Sequence, residues 1–74
     1  MMTALAAADA ALMTALCNGA DSDATHGLAC AVVELADRVT AAWEYNKASD
    51  ADAITASKMG AFARKAAAEI EAGW

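Results

Sequence analysis

The sequence predicts a small all-α domain: a three-helix bundle, or a long helical hairpin with an N-terminal helix packed across it. Three observations carry this. The chain has 74 residues and no proline, and 24 of its 44 hydrophobic residues are alanine, the best helix former. Three valines and two isoleucines are too few β-branched aliphatics for a sandwich or barrel. Apolar and small residues recur at alternating spacings of three and four along two long stretches. At this length there is room for one domain, residues 1–74.

Helix one is expected over residues 3–17. Thr3 can cap its start. Asn18-Gly19 is a strong stop, because glycine tolerates the left-handed backbone conformation. Leu5, Leu12 and Leu16 form a stripe, with a small-residue seam of Ala4, Ala8, Ala11 and Ala15 beside it. Asp9 is the only charge before Asp21. A secretion signal needs a positive start, yet no Lys or Arg precedes Arg38. A membrane span would carry Asp9 near its centre, at a cost of a few kcal/mol. The segment therefore reads as a packed helix. Two cysteines without a secretion signal predict a cytoplasmic protein with reduced thiols. The methionine pair at the start and the lack of tag-like residues read as a whole gene product.

Asp21, Ser22 and Asp23 each offer a cap to helix two, expected over residues 24–46. Leu28, Val32, Leu35, Val39, Ala42 and Asn46 form a heptad seam, and Ala29, Val33, Ala36, Thr40 and Trp43 form a second stripe alongside. Together they make an apolar face wider than one partner helix covers. The opposite side carries Glu34, Asp37 and Glu44.

Ser49 and Asp52 fit a capping box for helix three, expected over residues 50–72 with Gly73 as terminator. Ala53, Ala56, Gly60, Ala63, Ala67, Ile70 and Trp74 repeat at helical contact spacing, so two helix axes can approach closely. Met59, Phe62 and Ala66 flank this seam and should anchor the bundle. Gly27 and Gly60 lie inside helices, where glycine costs about 1 kcal/mol relative to alanine. Close helix contact is the expected reason for both.

A chain this short rarely draws more than about 3–5 kcal/mol from its own core. Bulky residues are few, so self-association is expected, by default as a C2 homodimer. Its interface should use the nearly uncharged helix one and the second stripe of helix two: Leu5, Leu12, Leu16, Val33 and Trp43.

His26, Cys30 and Glu34 share one side of helix two, with Asp37 at a compatible angle. His and Cys one turn apart can bind zinc, and a carboxylate can add a ligand. A closed site draws ligands from two or more elements, however, and Cys17 is the only other soft ligand. No metal or other cofactor is expected. One histidine and three serines (Ser22 and Ser49 suited to caps, Ser57 within helix three) leave no oriented triad, so the protein is expected not to be an enzyme. The net charge of −5 argues against direct contact with nucleic acid. No face combines basic residues with a large apolar stripe, as membrane binding would need. Lys58, Arg64 and Lys65 read as a solvated face of helix three.

What remains is a non-enzymatic interaction protein. Acidic surfaces are steered to basic ones, and nucleic-acid-binding proteins present the most basic. The chain is expected to inhibit or regulate a larger protein complex of that kind. In size, charge and simplicity it resembles small acidic inhibitors encoded by phages and mobile elements, anti-CRISPR proteins among them. Partner contacts are expected at Glu34, Asp37, Glu44 and Tyr45. Tyr45 lies off both stripes near a helix end, and Tyr is frequent in binding hot spots. The alternative is a helical oligomer that holds a small molecule or a metal at a subunit interface, with Thr40 and Asn46 pointing inward.

Overall fold

Asp21 and Ser49 set where the second and third helices begin. In the computed structural model, which describes residues 2–73, the chain forms α1 (Met2–Asn18), α2 (Ser22–Glu44) and α3 (Asp50–Glu71). The Asp21 carboxylate accepts from the Ala24 N–H at 3.3 Å, and the Ser49 hydroxyl accepts from the Asp52 N–H at 3.1 Å. Each bond satisfies one orphan donor of a helix start. Thr3 is not the cap expected of it, because α1 already includes Met2. Met1 and Trp74 lie outside the described residues, and with them the expected last step of the helix-three seam.

Two helices end on the same backbone device. Gly19 takes φ 63°, and the Ala20 N–H donates back to the Ala15 carbonyl at 3.0 Å. At the end of α2 the left-handed residue is Asn46, with φ 60°. Its N–H donates to the Trp43 carbonyl at 2.9 Å and the Lys47 N–H to the Ala42 carbonyl at 2.8 Å, both bonds of a Schellman cap. Asparagine tolerates this conformation because its short polar side chain offsets part of the strain. The expected boundary at Asn46 is corrected accordingly. The helix stops at Glu44, and Asn46 is an exposed cap residue rather than an inward-pointing one.

α2 is the middle element. It packs against α3 on one side and α1 on the other, while α1 and α3 barely meet. Its buried line (Thr25, Ala29, Val32, Ala36, Val39) runs between the two stripes read from the sequence. Val39 and Ala42 of the first stripe lie beside Met2 and Thr3 of α1. Thr40 and Trp43 of the second lie beside Ala53 and Ile54 of α3. The width of the apolar face is therefore met by two helices of the same chain.

Two residues of the expected subunit interface lie inside the bundle. Leu5 and Leu12 are fully buried within one chain, in a single cluster with Ala29, Val32, Ala36, Val39, Ala56 and Ala63. They have no surface left to offer a second copy. Leu16 and Val33 are half-buried, and only Trp43 of that set is exposed.

On α3 the small-residue seam is borne out. Ala56, Gly60 and Ala63 are buried, with Ala53, Ala67 and Ile70 half-buried beside them. A Cβ at Gly60 would stand 3.0 Å from the Ala36 Cβ, inside the ordinary carbon contact distance of about 3.5–4.0 Å. The absent methyl is what lets α2 and α3 approach this closely. Met59 packs on the core and Ala66 is buried, but Phe62 is exposed and does not anchor the bundle.

Gly27 has a different setting. A Cβ there would meet nothing within 4 Å, so close contact does not account for it. Gly27→Ala should stabilise the fold by about 0.5–1 kcal/mol through helix propensity alone. Thermal denaturation reads this directly, and a lowered midpoint would refute the open placement. Among the described residues, no helix is long and apolar enough to cross a membrane.

Candidate functional site

α2 and α3 run antiparallel from the turn at residues 45–49, with Gly60 held against Ala36. Further from the turn, this register brings Arg64 to Asp37 and Glu71 to His26. Two surface clefts open along the α2–α3 seam, one at each end.

The first cleft has a volume of about 480 Å³ and is lined chiefly by His26, Cys30, Val33, Asp37, Arg64 and Glu71. The one-turn spacing on α2 sets the Cys30 Sγ 3.6 Å from His26 Nδ1, in hydrogen-bonding geometry. On the far side of the ring, His26 Nε2 lies 3.4 Å from Glu71 Oε1. Nε2 is shielded from water and makes no aligned hydrogen bond, so the Glu71 contact is an electrostatic approach rather than a formed bond.

Two of the residues expected to meet a partner are already engaged. Glu34 accepts from Arg38 one turn along α2, and Asp37 accepts from Arg64 of α3 at 2.7 Å. Both pairs are exposed, and such pairs contribute about 0–1 kcal/mol. Their effect on the surface is larger than on stability, because each neutralises a carboxylate that would otherwise attract a basic partner. Arg64 thus belongs to this cleft rather than to a purely solvated face. Glu44 is exposed and forms no ion pair among the described residues.

The metal reading gains no ligand set. Among the described residues, no group of three or more His, Cys, Asp and Glu side chains is gathered to hold an ion. His26 and Cys30 do face each other, but Glu34 turns to Arg38. Cys17 and Cys30 are both free and exposed.

The second cleft, of about 390 Å³, lies at the turn end and is lined by Thr40, Trp43, Asp50, Ala53, Ile54 and Ser57. The Trp43 indole N–H donates to Asp50 Oδ1 at 2.6 Å, tying the end of α2 to the start of α3. That bond satisfies the polar edge of the ring and leaves much of its apolar face in solvent. Trp43 is 43% exposed, Ile54 57% and Tyr45 75%. Tyr45 is the C-cap residue of α2. The Thr40 hydroxyl donates to the Ala36 carbonyl at 3.0 Å, so its proton is committed within its own helix and only its acceptor capacity remains.

Glu71, Arg64, Asp50 and Ile54 are site residues that periodicity alone does not reveal. Their signal is the antiparallel register of the hairpin, which pairs positions roughly equidistant from the turn. No protein family, curated protein or solved structure matches this chain.

Proposed function

We propose that this protein is a non-enzymatic interaction module that inhibits or regulates a larger protein with a basic surface. The turn end of the α2–α3 hairpin is its contact region. The observation that supports this is the exposure of Trp43, Tyr45 and Ile54 at one end of an acidic chain, beside the exposed Glu44, which has no ion pair among the described residues. Aromatic anchors carry a large share of the energy at protein interfaces. A net charge of −5 steers basic surfaces toward them. Nucleic-acid-binding complexes are the basic partners of choice, and an anti-CRISPR-type inhibitor is one protein of this description. The shortage of bulky core residues favours a homodimer as the active form.

Co-purification from cells of the source organism, followed by mass spectrometry, identifies the partner. Tyr45→Ala should then weaken the complex about 30-fold, the loss of one hot spot of about 2 kcal/mol. Glu44→Lys should slow association and flatten its salt dependence. Both positions are exposed, so helix content should not change. Unaltered binding in both variants would remove this region as the contact. Charge reversal at Glu34 or Asp37 is a poorer probe, because it sets a lysine against Arg38 or Arg64.

A further inference from the structure

We propose that Cys30 is a thiol-modification site that takes a small disulfide by exchange, with His26 as its base and Glu71 behind the ring. This inference is independent of the partner contact proposed for the turn end, which lies at the opposite end of the hairpin.

The geometry supplies a nucleophile, a base and a carboxylate beside the base, in that order. Cys30 Sγ lies 3.6 Å from His26 Nδ1. A neutral imidazole that accepts from the thiol at Nδ1 carries its own proton on Nε2. Nε2 is the nitrogen that faces Glu71 Oε1 at 3.4 Å. When the ring gains a proton, the exposed Glu71 carboxylate stands beside the positive charge. Glu34 and Asp37, the other carboxylates of the cleft, are held by Arg38 and Arg64, so they do not compete for the ring. The thiol is exposed, and it opens on a volume of about 480 Å³ with Val33 and Ala67 as apolar walls. A small organic disulfide needs no larger space. This is the arrangement by which a neighbouring base activates a thiol.

In the exchange, Cys30 Sγ attacks one sulfur of a reagent RS–SR as its proton passes to His26 Nδ1. The Cys30–S–S–R bond forms and the reagent S–S bond breaks. The departing RS⁻ takes the proton back from His26 and leaves as RSH. Cys30 is oxidised to the mixed disulfide, one sulfur of the reagent is reduced to a thiol, and no other reactant is required.

The chain carries its own reference. Cys17 is also free and exposed, but it makes no side-chain hydrogen bond or ion pair among the described residues. The intact protein is incubated with 2-hydroxyethyl disulfide, an uncharged probe, quenched with acid and mapped by peptide mass. Cys30 is expected to react at least tenfold faster than Cys17. His26→Gln should bring Cys30 down to the Cys17 rate. Glu71→Gln, an exposed change that leaves the core intact, should slow Cys30 several-fold and leave Cys17 unaltered. Equal rates at the two cysteines in the unmodified sequence would overturn the proposal. So would a Cys30 rate that neither substitution changes.

Discussion

Leu12→Ala is expected to leave much of the population unfolded at 25 °C. Leu12 is fully buried, and with Leu5 it is one of only two bulky side chains that α1 buries completely. Truncating a buried leucine to alanine costs about 2–5 kcal/mol, the spread reflecting how far the surroundings collapse into the space. A chain of this size has only about 3–5 kcal/mol to lose. Apart from Leu5 and Leu12, the fully buried members of this cluster are alanine and valine, whose short side chains cannot reorient to fill a hole. The cost should therefore fall in the upper half of that range. Urea denaturation followed by circular dichroism, at matched protein concentration, measures it. A loss below about 1 kcal/mol would show that Leu12 is not seated in the core.

Gly60→Leu should rank second and act by the opposite mechanism. A Cβ at position 60 already stands 3.0 Å from the Ala36 Cβ, and both atoms are fixed to backbone. Neither can swing away, so α2 and α3 must separate along the seam. Overpacking of this kind costs typically about 1–3 kcal/mol. The helix-propensity gain on losing glycine is about 1 kcal/mol and offsets only part of it. A net loss of about 2 kcal/mol is expected for leucine and a value near zero for Gly60→Ala, where the two terms nearly cancel. The swap Ala36→Gly with Gly60→Ala moves the methyl from one helix to the other. A double-mutant cycle should show favourable coupling of at least about 0.5 kcal/mol. Full stability in Gly60→Leu would mean that the helices are not in contact at this point.

The fold is largely legible in the sequence, because each helix boundary rests on local chemistry. Gly19, Ser49 and Gly73 act where their residue types predict, and the alternation of small residues on α3 marks the face that meets α2. Asn46 misleads because its spacing continues the heptad. A left-handed asparagine looks the same in sequence as one more seam residue, and only the backbone distinguishes them. The wide face of α2 announces more than one neighbour, but periodicity does not say whether the second neighbour comes from the same chain. Leu5 and Leu12 show that it does. The candidate sites are less legible. His26 and Cys30 are neighbours on one helix and stand out, whereas Glu71 and Arg64 come from α3 and require the hairpin register. Trp43 sits on an apolar stripe, and nothing local to it announces that Asp50 holds its indole N–H at the edge of the core.

The two short connectors, each entered through a left-handed residue, also govern how quickly the fold can be found. Every substantial contact joins helices adjacent in the chain, and the pair that is not adjacent hardly touches. Loops of a few residues are closed at little entropic cost. Helical proteins dominated by such local contacts fold in microseconds to milliseconds. The chain contains no proline, so no slow peptide-bond isomerisation delays any fraction of the molecules. The same brevity that limits the core also makes the conformational search short, and α2–α3 pairing can precede the docking of α1.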